Sequence, residues 1–257
     1  MRLYIYYFSF VIGLAFACLC SIHTGRKTGI VKRDAAVFTV MGFTAGVIGA
    51  VLMSFIYNSL MKYAAGGEVS SVSLFSLYGG ILFTPLLLLL PLKSAGKDID
   101  TALDTCCAGV YLLIATAKIG CHIYGCCYGN ECSFGVINPQ NGMRVFPVQL
   151  LESLLTFIIS AVIYFYTLKE KRPKGSVYPL GLIIYGVMRF GIQFLRFHES
   201  QQEKHLFLFM DIWQTVSLIS VISGIIWLLL INRRSSRTGT DNIGDSVSDI
   251  INGNEEA

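Results

Sequence analysis

Charged residues that fall inside apolar stretches of the sequence give its first chemical signal. Three cations, Lys118, Arg189 and Arg196, and two acids, Glu152 and Asp211, lie in such stretches. A charge at the centre of a bilayer costs at least ~2.5–3.5 kcal/mol, so these residues normally face the interior of a helix bundle or a wet cavity. A guanidinium binds phosphate through two parallel hydrogen bonds, whereas an ammonium acts as a point charge. We therefore predict a site for an anionic group, with Arg189 as its main phosphate ligand and Lys118 and Arg196 in support.

Two other interpretations of these charges stay open. Arg196 and Asp211 lie near the ends of their stretches, where a side chain can extend towards water. All the charges could instead form an ion-pair network that only stabilises the fold, because perturbed ionisable groups are not always functional. Arg189 fits the first alternative poorly, since it is about eight residues, or ~12 Å of helix, from the end of its stretch.

The spacing of the polar residues indicates helices with one polar face. Tyr185, Arg189, Gln193 and Arg196 recur at intervals that place them on a single helical face. A second such face, in an earlier stretch, contains Lys118, Cys121, His122 and Gly125.

Four cysteines, Cys121, Cys126, Cys127 and Cys132, lie within twelve residues of one another and close to His122. Their spacing lacks the paired C-x₂-C arrangement of common structural zinc sites. A redox dithiol or a structural disulfide is a second interpretation, and close packing of small, polarizable side chains is a third. We predict no metal site and no cofactor.

The elements that must position these residues are membrane-spanning helices. The chain is 54% hydrophobic and only 14% charged, whereas soluble domains carry about 25% charged residues. Lipid leaves no water for unpaired backbone groups, so each apolar segment must be helical. The sequence therefore predicts an all-α membrane protein with about seven transmembrane helices, over residues 3–20, 36–59, 72–92, 105–124, 147–168, 177–197 and 207–231.

The distribution of positive charge predicts the orientation of this bundle. Lysines and arginines concentrate in the predicted loops at 21–35, 93–104 and 168–176 and just after the last segment. Because positive loops stay in the cytoplasm, we predict the N-terminus outside the cell and the C-terminus in the cytoplasm. A cleavable signal peptide, with Ala15-Phe16-Ala17 as its cleavage site, is the alternative for the first segment. Residues 1–234 form the predicted membrane domain, and residues 235–257 a disordered cytoplasmic tail.

This topology places the polar residues of five segments in the outer half of the bilayer. There the cations outnumber the acids, which suits the anionic head group of a lipid, and no basic stripe with interleaved aromatics indicates nucleic acid. The residues are Tyr78 in the third segment, Lys118 and His122 in the fourth, Gln149 and Glu152 in the fifth, Arg189, Gln193 and Arg196 in the sixth, and Asp211 and Gln214 in the seventh.

The sequence resembles the prolipoprotein diacylglyceryl transferase family. The resemblance rests on Tyr78-Gly79-Gly80, on residues 118–129, on residues 147–153 and on residues 185–190 with Arg196 following. It implies transfer of a diacylglyceryl group from phosphatidylglycerol, or a similar anionic phospholipid, to the lipobox cysteine of a prolipoprotein signal peptide. Glycerol phosphate would be released.

The chain departs from the family pattern at five positions. Tyr78 stands where the family has histidine, Lys118 where it has arginine and Cys121 where it has asparagine, and Cys126 and Gln193 replace acidic residues. Tyrosine, with an ordinary pKa near ~10, is a weak proton acceptor. The departures therefore predict altered proton handling within a retained lipid site.

We accordingly predict two groups of site residues. The catalytic group is Tyr78, Lys118 and Arg189, and the substrate-binding group is Gly129, Gln149, Glu152, Tyr185, Gln193 and Arg196. Two alternatives for the function stay open. One is a phospholipid-binding membrane protein that has lost or changed the reaction. The other is an outer-face thiol oxidoreductase that uses Cys126, Cys127 or Cys132.

Overall fold

Seven helices make up most of the part of the chain that the structure describes, as predicted. The computed structural model describes residues 2–64, 76–197 and 211–253. The first residues of the predicted third and seventh segments, 72–75 and 207–210, lie outside the described residues. The helices are α1 (Arg2–Lys27), α2 (Lys32–Ala64), α3 (Leu77–Ser94), α4 (Ile99–Tyr124), α5 (Val148–Thr167), α6 (Val177–Gln193) and α7 (Ile212–Gly253), and a two-stranded sheet, β1 (Glu131–Ile137) and β2 (Arg144–Val145), separates α4 from α5.

The helices have the length and composition of membrane spans. In the described part of the chain, six of them are long and apolar enough to cross a membrane, and α6, with 17 residues, is shorter. The protein is therefore an all-helical, multi-pass membrane protein. The orientation of its termini stays a prediction. The backbone of α7 continues as helix to Gly253. The division of the chain at residue 234, with a disordered tail over residues 235–257, stays a prediction.

Helix α4 is the central element of the bundle, and most of its residues are buried. Hydroxyl groups of α5 attach to its backbone, because Ser153 Oγ donates to Ala115 O at 2.7 Å and Ser160 Oγ donates to Ala108 O at 2.8 Å. Small and hydroxyl-bearing residues are the usual contacts between helices in lipid, where apolar burial gives little driving force. These bonds fix the height of α4 against α5, and so the height of the charged residues that each helix carries.

The β1–β2 hairpin was not predicted from the sequence. Its strands pair Ile137 with Arg144 in antiparallel register, and an irregularity interrupts the ladder between Glu131 and Val136. A turn through Gly142, whose φ is +72°, connects the strands, and the Asn141-Gly142 dipeptide there is a recognised hairpin signal. The hairpin lies beyond the ends of α4 and α6, and we call this side of the bundle the hairpin end.

A second buried acid, Asp104, organises the opposite end of the bundle. Its Oδ2 accepts hydrogen bonds from Arg172 Nη1 at 2.5 Å and Gly175 N at 3.0 Å, and its Oδ1 accepts from Val177 N at 3.2 Å. The predicted fourth segment began at residue 105, so Asp104 was assigned to a loop. Because all three partners lie between α5 and α6 or at the start of α6, this carboxylate fixes the α5–α6 connection against α4.

Candidate active site

Three buried charges from three helices meet at the hairpin end. Lys118 Nζ on α4 and Arg189 Nη1 on α6 each lie 2.9 Å from the same oxygen, Oε2 of Glu152 on α5. The exposed fractions are 4% for Lys118, 0% for Glu152 and 6% for Arg189. The two cations therefore share one carboxylate inside the bundle, and the trio carries a net positive charge.

Arg196 adds a further cation just beyond α6. Its backbone forms an antiparallel bridge with Gly129, and its half-buried side chain lies within electrostatic reach of Glu152. The Nε atom is buried and has no hydrogen-bond partner among the described residues. Arg196 thus lies beside the Lys118–Glu152–Arg189 trio, and its Nε–H group can still donate a hydrogen bond to a ligand.

Gly129 is required by the close approach of two backbone segments. Its N–H donates to Phe146 O at 3.1 Å. A Cβ at this position would lie 2.8 Å from both Phe146 O and Leu195 O, closer than real Cβ atoms come to such oxygens. The absence of a side chain here lets the loop after α4 pack between the start of α5 and the chain that carries Arg196.

Aromatic rings line the next layer of the site. The ring centroids of Tyr78 and Tyr185 are 5.5 Å apart, and Tyr185 lies at the same distance from Tyr111. The Tyr78 hydroxyl donates to Ser217 Oγ on α7 at 2.8 Å. Tyr78 is therefore oriented as a hydrogen-bond donor, and its proton is already committed to a neighbouring side chain.

Two buried glutamines complete the polar layer. Gln149 Nε2 donates to Cys126 O at 2.8 Å, and Gln193 Nε2 donates to Asp211 Oδ2 at the start of α7. Among the described residues, no donor reaches Oε1 of Gln149, Gln193 or Glu152. A buried acceptor without a partner costs about 1–3 kcal/mol, so this region holds acceptor capacity that a hydroxyl-bearing ligand can use.

The cysteines divide into two groups. The side chains of Cys121 and Cys126 lie close enough to Cys127 to interact with it, whereas Cys132 lies on β1. All eight cysteines of the chain are free thiols, so the structure has no disulfide. Within residues 2–64, 76–197 and 211–253, no cluster of histidine, cysteine or acidic side chains has the arrangement to hold a metal ion.

The structure thus brings the predicted residues together at one level. Lys118, Glu152 and Arg189 are in direct contact. The other six, listed by position, surround them at the hairpin end: Tyr78, Gly129, Gln149, Tyr185, Gln193 and Arg196. His122, at the end of α4, instead borders a very small cavity that Gly125 and Asn138 also line.

Sequence reasoning missed two features of the site. Ser217, which accepts from Tyr78, is a polar residue within an apolar segment and lies three positions after Gln214, so its helical spacing carried a usable signal. The contact of Cys127 with two other thiols was not predicted, because it depends on a turn in the loop after α4.

The fold and the site together define a class of protein. It is a multi-pass helical membrane protein with a buried, net positive site at one end of the bundle, suited to an anionic group. The chain belongs to the prolipoprotein diacylglyceryl transferase family, whose model matches residues 1–230.

Curated relatives cover most of the chain. It is 28% identical over 248 residues to phosphatidylglycerol–prolipoprotein diacylglyceryl transferase 2 of Clostridium perfringens, an alignment of 92% of this chain and 94% of the relative. The corresponding enzyme of Clostridium tetani is 25% identical over 241 residues, which is 88% of this chain and 92% of the relative. That of Ehrlichia ruminantium is 33% identical over 138 residues, covering 51% and 53% of the two chains.

Proposed function

We propose that this protein transfers the diacylglyceryl group of phosphatidylglycerol to the thiol of the lipobox cysteine in a prolipoprotein, in the bacterial plasma membrane. The main support, besides family membership, is the pairing of Lys118 and Arg189 with one oxygen of Glu152 in the bundle interior. The site would open to the outer leaflet, in the orientation that the positive loops predict.

The reaction explains why several cations are needed. The substrate thiolate attacks a glycerol carbon of the lipid, the carbon–oxygen bond to phosphate breaks, and glycerol phosphate leaves with an added negative charge. Cations held at the position where this charge develops lower the barrier, because they need no reorganisation during the step. Arg189 would bind the phosphate through its planar guanidinium, and Lys118 and Arg196 would supply further positive charge.

Glu152 would act as a positioning residue. Its carboxylate holds both Lys118 and Arg189 at 2.9 Å, which restricts their long side chains before the lipid arrives. One negative charge offsets only one of the two cations, so the pair retains a positive charge for the phosphate. This arrangement also keeps two cations in the bundle interior that would repel each other without an acid between them.

The remaining polar residues suit the glycerol head group. Phosphatidylglycerol carries two head-group hydroxyls, and Oε1 of Gln149 and Oε1 of Gln193 are buried acceptors without a donor among the described residues. Tyr185 would line the same site, and Gly129 would keep the loop close enough for Arg196 to take part. A phospholipid with a choline or ethanolamine head group would instead place a positive charge beside these cations, and the repulsion would disfavour its binding.

An apolar cavity of about 210 Å³ adjoins this polar layer. Its lining includes Leu77, next to Tyr78, and Ile114, one helical turn before Lys118, and it extends away from the hairpin end to Thr84 and Val110. Methylene groups gain about 0.8 kcal/mol each on leaving water, and the cavity suits part of an acyl chain whose head group lies among the cations.

Reconstituted protein tests the proposal. The wild type, in vesicles of phosphatidylglycerol, is given a lipobox peptide, and two products are followed: released glycerol phosphate, and the thioether-linked peptide by mass spectrometry. Arg189→Ala should lower transfer by about 100-fold or more, since removing one preorganised donor costs 10²–10³ in rate. The matched control is Arg33→Ala, an exposed arginine at the start of α2, which should transfer at the wild-type rate.

One observation favours a second candidate function. Tyr78 donates its proton to Ser217, so it offers no free proton acceptor, as expected of a protein that binds phospholipid without transferring it. Wild-type protein that retains phosphatidylglycerol on purification but forms neither product would support this candidate and contradict transfer. Unaltered transfer by Arg189→Ala would contradict the role assigned to Arg189.

A further inference from the structure

The apolar cavity beside the polar layer has a defined length. Residues of α1, α2, α3 and α4 line it, and along α2 it extends from Ala50 to Gly42. At about 1.5 Å per residue, this stretch of helix is roughly 12 Å long. One leaflet contributes half of a hydrocarbon core that is about 30 Å thick. The cavity therefore has the length of most of one acyl chain.

Contacts between α2 and α4 close the end of the cavity that lies away from the hairpin end. Cys106 Sγ donates to Phe38 O at 3.3 Å, and a Cβ on Gly42 would lie 3.1 Å from the same sulfur. Cys106 and Phe38 are both buried in the apolar core. A chain that enters beside the polar layer thus meets a wall at this level.

The lining offers no hydrogen bond to an occupant. Its two polar residues, Thr44 and Thr84, donate their hydroxyl protons to carbonyl oxygens of their own helices, Val40 O and Gly80 O. The other lining residues are apolar or glycine. A helical peptide, about 10–12 Å wide with its side chains, is too wide for a cavity of about 210 Å³. A single hydrocarbon chain fits both its chemistry and its size.

One wall of the cavity is fixed by a backbone contact between α2 and α3. A Cβ on Gly49 would lie 2.6 Å from Gly79 O, and a Cβ on Gly79 would lie still closer to Gly49 O. Glycines of this kind let two helices in lipid approach closely. Helices whose backbones already touch cannot move closer to fill empty space, so the side chains of this wall determine how much space the cavity keeps.

Gly46 lies on this wall, but close packing does not require a glycine there. Among the described residues, a Cβ at position 46 would meet only Thr84 Oγ1 within 4 Å, at an ordinary contact distance of 3.6 Å. Glycine is a much poorer helix former than alanine, so packing leaves its presence in α2 unexplained. Because Thr84 also lines the cavity, a side chain at position 46 would extend into it.

We propose that Gly46 determines which acyl chains the protein accepts. One chain of the phospholipid lies in the cavity while its phosphate lies among the cations, and the missing side chain keeps the half of the cavity towards Gly42 open for the end of a long chain. Gly46 is thus a specificity-determining residue that contacts the chain and takes no part in the chemistry. This inference rests on the proposed diacylglyceryl transfer.

Competition between two phospholipids tests the proposal. Reconstituted protein receives equal amounts of dilauroyl and dipalmitoyl phosphatidylglycerol with a lipobox peptide, and mass spectrometry separates the two lipidated products. Their ratio gives the ratio of the two kcat/KM values. Gly46→Leu should shift this ratio towards the lauroyl product by about tenfold or more, as a hydrophobic pocket does when it lacks room for part of a substrate. Gly46→Ala should shift it in the same direction and by less.

A second position provides the opposite change. Val110 of α4 lines the same cavity, so Val110→Ala enlarges it and should shift the ratio towards the palmitoyl product. Opposite shifts from two helices cannot come from a general loss of folding. Gly191→Leu is the matched control, because a Cβ on Gly191 meets nothing within 4 Å among the described residues; its product ratio should equal that of the wild type.

A wild-type product ratio in folded, active Gly46→Leu overturns the proposal and leaves the transfer function intact. An unchanged ratio together with a higher KM for the lipobox peptide would also overturn it, because the cavity would then belong to the prolipoprotein.

Lipid retention tests the role of Gly46 without catalysis. The wild type and Gly46→Leu are purified in detergent with both lipids present, and the bound lipid is identified by mass spectrometry. Gly46→Leu should retain less dipalmitoyl lipid relative to dilauroyl lipid than the wild type does, and equal ratios overturn the proposal. A shifted ratio in a wild type and variant that form no product would support the role of Gly46 and contradict transfer.

Discussion

Replacement of Glu152 by glutamine removes the negative charge that Lys118 and Arg189 share, and no other acid of the described residues forms an ion pair with either cation. Glutamine has the same size and still accepts a hydrogen bond, so the shape of the site is kept. The two cations, each 2.9 Å from Oε2 in the wild type, then stay buried without a counter-charge. Removing one partner of a buried ion pair costs about 3–5 kcal/mol for this reason. We take the lower value, about 3 kcal/mol, because the glutamine oxygen still accepts a hydrogen bond.

Thermal unfolding in detergent micelles, followed by the fluorescence of Trp213 and Trp227, measures this effect. For a chain of this length, 1 kcal/mol corresponds to about 2–4 °C in Tm, so Glu152→Gln should lower Tm by about 6–12 °C. Glu131→Gln is the control, because Glu131 is an exposed glutamate on β1 and its loss should leave Tm unchanged. Glu152→Gln should also reduce lipid transfer, since the cations lose their positions.

A double variant separates charge from packing. Adding Lys118→Met to Glu152→Gln removes one of the two unpaired cations and keeps most of the side-chain volume. The double variant should therefore be more stable than Glu152→Gln alone, with a coupling of at least about 1 kcal/mol, within the range for residues in one network. If the two losses of stability simply add, Glu152 does not balance the cations, and the charge argument for the site is refuted.

Two further predictions concern the packing around the site and the opposite end of the bundle. Gly129→Ala places a Cβ 2.8 Å from two carbonyl oxygens; it should cost about 1–3 kcal/mol and lower transfer. Gly191→Ala, whose Cβ meets nothing within 4 Å, should do neither, and equal effects of the two would contradict this explanation. Asp104→Asn leaves Arg172 without its buried counter-charge and should cost about 3 kcal/mol in thermal unfolding. Its transfer rate at a permissive temperature should stay that of the wild type, and loss of transfer by a folded variant would link this end to the reaction.

The helices could be predicted from the sequence because an apolar segment in lipid must pair its own backbone groups, and a helix is the structure that does so within one segment. Seven such segments were visible, and each corresponds to a helix. Their ends were less accurate. Helix α4 begins at Ile99 rather than at residue 105, since its first turn is polar and capped by Asp98, which accepts from Thr101 N at 2.7 Å. The hairpin after α4 was missed because β2 has only two residues and the pairing depends on a turn of only a few residues.

Part of the site could also be predicted. Charges inside apolar segments are costly in lipid, so Lys118, Glu152 and Arg189 stood out by position alone, and their alternation between helices placed them at one level. Which cation would pair with which acid was not accessible from sequence. Asp211 was available as a partner for Arg189, yet in the structure it receives Gln193, and Glu152 holds both cations.

The sequence by itself determined that this chain is a helical membrane protein with cations in its interior, because hydropathy and the cost of charge in lipid act on each segment independently. Only the tertiary structure decided that two cations share one carboxylate oxygen, that the Tyr78 hydroxyl is committed to Ser217, and that Cys127 meets two other thiols. These contacts depend on the rotation and height of separate helices and on the turn in the loop after α4. A contact of a few ångströms between two residues that are far apart in the chain produces no periodic pattern in the sequence, so it could not be predicted.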